Sequence, residues 1–230
     1  MCCTAIGYGR SMRRAQRAQA KHGDIERSVC DATERLLARR RFSDLSVADI
    51  LGEAGVSRAS FYFYFASKYE LLSAVSERAV DEVYAVTQTW LHRSGSEPPL
   101  DALRTAMRGA VSRWSAHGPV LRAVVESSAS APEIDAQWKR LMARFTAAAA
   151  EQIDRERAAG VAPAGMDSRA LGALLTWMTE RALYLMVSGG ESEFADSGAL
   201  VETLAGLWWR AIYGAGPDGT GASNGLPHSA

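Results

Sequence analysis

The sequence has few cysteines and no long apolar run, which disfavours a disulfide-bonded protein and a membrane-spanning one. Its three cysteines, Cys2, Cys3 and Cys30, cannot all pair with one another and lack the spacing of metal ligands. No apolar stretch approaches the roughly 20 residues that a membrane-spanning helix needs. The basic N-terminal residues are not followed by the apolar segment of a secretory signal. We therefore expect a protein of the reducing cytoplasm that does not contact a membrane.

The side-chain groups of enzyme active sites are also missing. No histidine has a partner at the spacing of metal ligands, and no glycine-rich phosphate loop is present. The sequence therefore predicts no catalytic site, no metal and no cofactor. The four histidines are scattered over the chain, at His22, His92, His117 and His228.

Strand-like alternation is absent, whereas apolar residues return at steps of three and four, the period of an amphipathic helix. The predicted fold class is all-α, with an N-terminal three-helix helix-turn-helix domain and a C-terminal helical domain. We expect a flexible basic arm over 1–23, the helix-turn-helix domain over 24–72, the C-terminal domain over 73–213 and a disordered tail over 214–230. C-terminal helices are predicted at about 99–116, 119–128, 132–159, 168–188 and 197–213.

The net charge of zero hides an uneven distribution along the chain. Residues 1–80 carry 13 Lys and Arg against 9 Asp and Glu, whereas residues 81–230 carry 13 against 17. A basic front and an acidic rear indicate that only the front meets a polyanion. The stretch from Arg10 to Lys21 has five positive charges and no acid. It is either an arm that contacts DNA or a solvated leader.

Two short helices joined by a tight glycine turn are predicted next to this basic stretch. Ser46 begins the first of them, with Asp49 three residues on, and Ser57 begins the second. Gly55 can adopt the left-handed conformation that ends the first helix and sets the second across it. This arrangement is typical of a helix-turn-helix, whose second helix enters the major groove of DNA.

The second of these helices contains a run of aromatic residues with two distinct faces. Phe61 and Phe65 are four apart and should pack inward, which leaves Arg58 and Tyr62 on the outer face. Arg58 can reach a guanine edge, and hydroxyls and N–H groups at helix starts can hold phosphates. An aromatic run alone could be a core segment, but the spacing of the capping serines favours DNA binding.

These residues resemble the signature of the TetR family of bacterial regulators. The resemblance is carried by Leu45-Ser46-Val47-Ala48-Asp49-Ile50, by Ala54-Gly55-Val56-Ser57-Arg58-Ala59-Ser60-Phe61-Tyr62-Phe63-Tyr64-Phe65 and by Ser67-Lys68-Tyr69-Glu70-Leu71-Leu72. It implies an all-α homodimer that binds double-stranded operator DNA as a transcriptional repressor. The DNA-contacting positions that it implies are Ser46, Ser57, Arg58, Ser60, Tyr62, Phe63, Tyr64 and Lys68.

The rear half contains stripes of Trp and Met residues at helical spacing. Such stripes usually form a core, but together with two threonines they are also typical of an elongated apolar pocket with polar anchors. The stripes are Leu103, Met107, Ala110 and Trp114, then Trp138, Met142, Phe145 and Ala149, and then Thr176, Thr179 and Leu183.

Parts of the rear half resemble the EthR-type repressors, a branch of the same family. The similar segments are residues 138–160, 177–183 and 207–214. The resemblance implies a tunnel for a hydrophobic small-molecule effector. Here Thr176 and Thr179 replace asparagines of that branch, so the polar anchors are weaker and the ligand need not be the same. The tunnel positions that it implies are Leu103, Met107, Trp138, Met142, Phe145, Thr176, Thr179 and Trp208.

Two functions remain open for the rear domain. In the first, a bound ligand releases the repressor from its operator. In the alternative, the rear domain only dimerises and the regulator is independent of ligand. The family resemblance places the dimer surface on the last two helices, where small residues would permit close approach either to a partner or within one subunit. These small residues are Gly172, Ala173, Ala205 and Gly206.

Overall fold

A computed structural model describes residues 23–93, 95, 97–189 and 191–214. The basic stretch from Arg10 to Lys21, Cys2, Cys3 and the tail from residue 215 on lie outside these ranges. Every regular element within the described ranges is helical, which confirms the predicted all-α fold class.

Nine α-helices make up the described chain, and the five predicted over the rear half begin and end within one residue of the expected positions. The helices are α1 over 23–37, α2 Val47–Ala54, α3 Arg58–Tyr64, α4 Lys68–Leu91, α5 Pro99–Ala116, α6 Gly118–Ser128, α7 Pro132–Ala158, α8 Ser168–Ser188 and α9 Ser197–Tyr213. Two short 3-10 turns, Phe42–Asp44 and Ser192–Phe194, complete the described elements.

The chain divides into two compact units. The first unit contains the described residues up to Arg78 together with Pro119–Asp135, and the second contains Ala79–Gly118 with the described residues from Ala136 on. The long helix α4 therefore contributes its first half to one unit and its second half to the other.

The first unit is built around α1, whose apolar residues recur on one face. Val29 and Ala32 are fully buried, and Leu36 is nearly so, because a spacing of three and four residues keeps side chains on the same face of a helix. On the outer side, Arg35 of α1 and Arg39 of the turn that follows it hold the Glu53 carboxylate of α2 at 2.9 and 3.1 Å. These exposed ion pairs link α2 to α1 and to the turn after it, although pairs of this kind contribute little to stability.

In the second unit α9 packs along α5, and α8 packs against both of these helices. The close approach of α8 to α7 depends on Gly172, because a Cβ there would lie 3.1 Å from the Thr146 carbonyl oxygen and 3.2 Å from the Ala150 nitrogen. Gly172 therefore serves packing within the unit, as does Ala205, which is fully buried. Nothing within 4 Å would meet a side chain added at Gly206.

Candidate nucleic-acid interface and apolar site

The first turn of α2 is fixed by a reciprocal cap between Ser46 and Asp49. The Asp49 N–H donates to the Ser46 hydroxyl oxygen at 3.2 Å, and the Ser46 N–H donates to the Asp49 carboxylate at 2.8 Å. Arg40 also donates to this carboxylate, at 3.0 Å. Hydrogen bonds from Ser46 and then from Arg40 hold the pKa of Asp49 well below its usual range. The helix therefore begins where the sequence predicts.

The turn between α2 and α3 has the left-handed glycine that the sequence predicts. Gly55 has φ 67° and ψ 30°, and its N–H donates to the Leu51 carbonyl oxygen at 3.0 Å. Two residues later the Ser57 hydroxyl accepts from the Ser60 N–H at 3.1 Å and begins α3. Glycine adopts this backbone conformation without the steric cost that a Cβ brings, so the turn sets the direction of α3.

Helix α3 has a buried face and an exposed aromatic face. Phe61 and Phe65 are 0% and 4% exposed, whereas Phe63 is 71% exposed and Tyr62 is 45% exposed. The Arg58 guanidinium lies 5.5 Å from the centre of the Tyr62 ring. Phe63 is mostly outside the core, so this face of α3 is an exposed apolar and cationic surface.

Lys68, at the start of α4, is half-buried and bound to backbone carbonyls. Its ammonium donates to the carbonyl oxygens of Leu45 at 2.8 Å and Phe42 at 3.2 Å. Burial lowers the pKa of Lys68, and Asp44 opposes this shift. Two of the three ammonium hydrogens therefore hold the segment that precedes α2, a structural contact that sequence reasoning did not predict.

The structure brings all eight predicted DNA-contacting residues together in the first unit, within the segment from Ser46 to Lys68. Five of them are exposed, namely Ser46, Ser57, Arg58, Tyr62 and Phe63, and three are half-buried, namely Ser60, Tyr64 and Lys68.

The positive charge of the front half does not lie in the described helices. Residues 23–80 carry eight Lys and Arg against nine Asp and Glu. The excess therefore resides in the five cations from Arg10 to Lys21. The described interface offers local cations, above all Arg58, rather than a broad basic surface.

The residues predicted to line a ligand tunnel all lie in the second unit and are mostly buried. Phe145 and Thr179 are half-buried, and the other six, Leu103, Met107, Trp138, Met142, Thr176 and Trp208, are at most 7% exposed.

Aromatic pairs join two of these residues to α4. Trp208 meets Trp90 edge-on with ring centres 5.2 Å apart, and Phe145 meets Tyr84 in the same way at 5.1 Å. Trp90 and Tyr84 belong to α4 and were not among the predicted site residues. Their apolar spacing on that helix is the only sequence signal for them, since the partners lie more than sixty residues further along the chain.

The polar groups on α8 differ in how they are satisfied. The Trp208 indole N–H donates to the Thr179 hydroxyl oxygen at 2.9 Å. The Thr176 hydroxyl and both carboxylate oxygens of Glu180 are buried without a hydrogen-bond partner. Burial raises the pKa of Glu180, and Arg181 and the nearby Trp138 indole oppose this shift.

The described part of the chain contains neither a candidate metal site nor a candidate membrane span. No group of three or more His, Cys, Asp or Glu residues there could hold a metal ion. None of the described helices is long and apolar enough to cross a membrane.

Two family models match the chain and together cover most of it. The family described as bacterial regulatory proteins of the tetR family matches residues 29–75, which contain α2, α3 and the start of α4. The C-terminal domain of the transcriptional regulator EthR matches residues 103–214.

The chain belongs to the TetR family of bacterial transcriptional regulators, which confirms the predicted family and its helix-turn-helix. The HTH-type transcriptional regulator EthR of Mycobacterium tuberculosis is 31% identical over 212 residues, which are 92% of this chain and 98% of that protein. EthR of Mycolicibacterium smegmatis is 30% identical over 220 residues, 94% of this chain and 99% of that protein. The chain is thus an EthR-like transcriptional regulator and not an enzyme, as predicted.

Solved structures share the fold at lower identity. Salmonella enterica GusR aligns with a TM-score of 0.66 at 15% identity, over 82% of this chain and 95% of that one. The TetR-family regulator PfmR of Thermus thermophilus aligns with a TM-score of 0.60 at 20% identity, over 77% and 96%. These likenesses support the architecture alone.

Proposed function

We propose that this chain is a cytoplasmic repressor that binds operator DNA as a homodimer and is released when a hydrophobic small molecule binds in its second unit. The observation that carries the DNA-binding half is the outer face of α3, where Phe63 is 71% exposed beside Tyr62 and Arg58. An aromatic and cationic face of this kind, on the second helix of a helix-turn-helix, fits the major groove.

The residues of this face have different tasks in the proposed complex. Arg58 reads a base edge, because a guanidinium can donate two hydrogen bonds to guanine. The remaining ammonium hydrogen of Lys68 meets a phosphate. The other residues fix the register of the helix through phosphate and groove contacts, and they are Ser46, Ser57, Ser60, Tyr62, Phe63 and Tyr64.

Dimerisation follows from what one α3 can recognise. A single helix-turn-helix contacts only a few base pairs, so useful specificity needs two half-sites. On α8, Leu174 is 68% exposed and Trp177 is 39% exposed, and on α9 Leu207 is 43% exposed. Large exposed apolar side chains on two neighbouring helices are typical of a protein interface. We assign the dimer surface to these two helices.

The ligand half of the proposal rests on the Trp- and Met-rich interior of the second unit. An apolar pocket with a few convergent polar groups is the usual form of a small-molecule site. The residues that we assign to it are Leu103, Met107, Trp138, Met142, Phe145, Thr176, Thr179 and Trp208.

Helix α4 provides a physical route from ligand to DNA. In the first unit its Lys68 holds the segment before α2, and in the second unit its Trp90 packs against Trp208. A ligand that displaces Trp208 would act on Trp90 and so on this helix. Release requires that the ligand binds more tightly to the conformation that does not fit DNA, since only differential affinity shifts an equilibrium.

The test of the DNA-binding assignment is the Arg58→Ala variant, measured on an operator duplex selected from random sequences. We expect a loss of about 1–3 kcal/mol and relaxed base preference at one position of each half-site. Arg27→Ala removes the same charge from α1, where Arg27 is exposed and pairs with Asp24 at 3.6 Å, and should leave base preference unchanged. Equal operator affinity of Arg58→Ala and the parent protein would refute the base-reading assignment.

A further inference from the structure

Two polar side chains on one face of α8 are buried without partners. Glu180 and Thr176 are four residues apart, and they are 4% and 7% exposed. Neither carboxylate oxygen of Glu180 has a hydrogen-bond partner, and the Thr176 hydroxyl has none either. The Trp138 indole lies near this carboxylate, outside hydrogen-bond geometry. The unpaired groups therefore lie among residues assigned to the ligand site.

Such groups are rare in folded proteins because they destabilise the native state. More than about 90% of buried polar groups have a hydrogen-bond partner. Burial of a carboxylate without a counter-charge or a hydrogen-bond donor destabilises its charged form. The Glu180 carboxylate and the Thr176 hydroxyl thus lack the hydrogen-bond donors that would stabilise them in the second unit.

Two neighbouring side chains on α8, Arg181 and Thr179, have other contacts. The Arg181 guanidinium is exposed and lies 5.0 Å from the centre of the Tyr184 ring, a position that leaves it stacked on an aromatic face. The Thr179 hydroxyl accepts from the Trp208 indole. Neither of these side chains donates to the Glu180 carboxylate or to the Thr176 hydroxyl, so a bound molecule can supply the missing donors.

We propose that the effector carries a basic nitrogen, and that its protonated amine binds between the Glu180 carboxylate and the Thr176 hydroxyl while its apolar body lies against Trp138. This inference rests on the proposed ligand site in the second unit and names the class of molecule that the site selects. An ammonium group supplies up to three donors and a positive charge, which are the two features that this pair of acceptors lacks.

The test compares three probes of the same length on the full chain at neutral pH. The probes are 4-phenylbutylamine, the neutral 4-phenylbutanol and the anionic 4-phenylbutyrate, each titrated by calorimetry. We expect the amine to bind the parent protein at least about tenfold more tightly than the alcohol, and the anion to bind most weakly. An amine that binds no more tightly than the alcohol overturns the proposal.

Variants test whether Glu180 and Thr176 cause the preference for the amine over the alcohol. Glu180→Gln should abolish the preference for the amine over the alcohol, whereas Glu191→Gln, at an exposed glutamate, should retain it. Thr176→Val should weaken amine binding severalfold and serves if Glu180→Gln fails to fold. A preference that persists in Glu180→Gln, or an amine affinity unchanged in Thr176→Val, contradicts the assignment.

The same titrations, repeated with operator duplex present, separate this inference from the proposed function. If the amine binds through Glu180 but leaves operator affinity unchanged, the inference stands and ligand-gated release fails. If the alcohol releases the operator while the amine does not bind, release stands and the inference fails.

Discussion

The ammonium of Lys68 lies 2.8 Å from the carbonyl oxygen of Leu45, twenty-three positions earlier in the chain. A second hydrogen bond from the same ammonium reaches Phe42, whose ring also lies 4.8 Å away. A cation that the family pattern assigns to phosphate binding thus also holds the segment from which α2 begins.

Replacing Lys68 by Met should therefore destabilise the first unit as well as weaken DNA binding. Two carbonyls would lose charge-assisted hydrogen bonds, and we expect the free energy of unfolding to fall by about 1–3 kcal/mol. Urea denaturation measures this change. Arg41→Met removes an exposed cation nearby and should leave stability almost unchanged. A Lys68→Met protein as stable as the parent would show that the two hydrogen bonds contribute nothing to folding.

Two glycines of the α2 region should respond in opposite directions to the same substitution. Gly55 has φ 67°, so Gly55→Ala places a Cβ in the left-handed region and should cost about 1 kcal/mol or more. Gly52 lies inside α2 with nothing within 4 Å of an added Cβ. Gly52→Ala should raise stability by about 0.5–1 kcal/mol because alanine favours the helix. Thermal melts of the two variants that shift in the same direction would contradict the conformation of the turn.

Much of this region could be predicted because its signals are local in sequence. The Ser46–Asp49 cap, the Gly55 turn and the two faces of α3 each depend on residues within about one or two helical turns of one another. The contact of Lys68 with Leu45 and that of Trp90 with Trp208 depend on packing between distant segments. Periodicity predicts that such residues are buried, but it does not identify their partners.

The buried Glu180 shows the same limit at the candidate ligand site. The sequence places Glu180 four residues after Thr176 and three after Trp177 on one predicted helix. A glutamate on a helix is ordinarily solvated, so the sequence does not predict its burial. Only the packed structure shows that Glu180 is 4% exposed and without a hydrogen-bond partner. Thr176 and Thr179 have the same predicted role in the sequence, but their hydrogen bonding differs. The Thr179 hydroxyl accepts from the Trp208 indole, whereas the Thr176 hydroxyl has no partner.

Deletion of residues 1–21 should flatten the salt dependence of operator binding. This segment holds the five cations that give the front half its positive excess. Each phosphate that a protein neutralises adds about 0.9 to the slope of log affinity against log salt. We expect the slope to fall by that amount for every phosphate that the arm neutralises, with little change in base preference. Removal of residues 215–230 provides the control, and an arm-deleted protein with the parent's slope would exclude the arm from DNA binding.

A charge placed on the exposed apolar face of α8 should prevent dimerisation. Leu174 is 68% exposed, and burying a glutamate there against a partner would raise the dimer dissociation constant by about tenfold or more. Sedimentation velocity of Leu174→Glu measures this shift, and operator affinity should fall with it. Val161→Glu, at a residue 46% exposed in the segment after α7, should stay dimeric. A Leu174→Glu protein that remains dimeric would place the interface elsewhere.

Operator affinity measured with and without a panel of elongated apolar compounds, alongside their direct binding to the protein, tests ligand-gated repression most directly. We expect compounds that bind the second unit to weaken operator binding by about 5- to 150-fold. Operator DNA should weaken the binding of the same compounds by the same factor, because the coupling is reciprocal. A compound that saturates the second unit and leaves operator affinity unchanged would contradict the account.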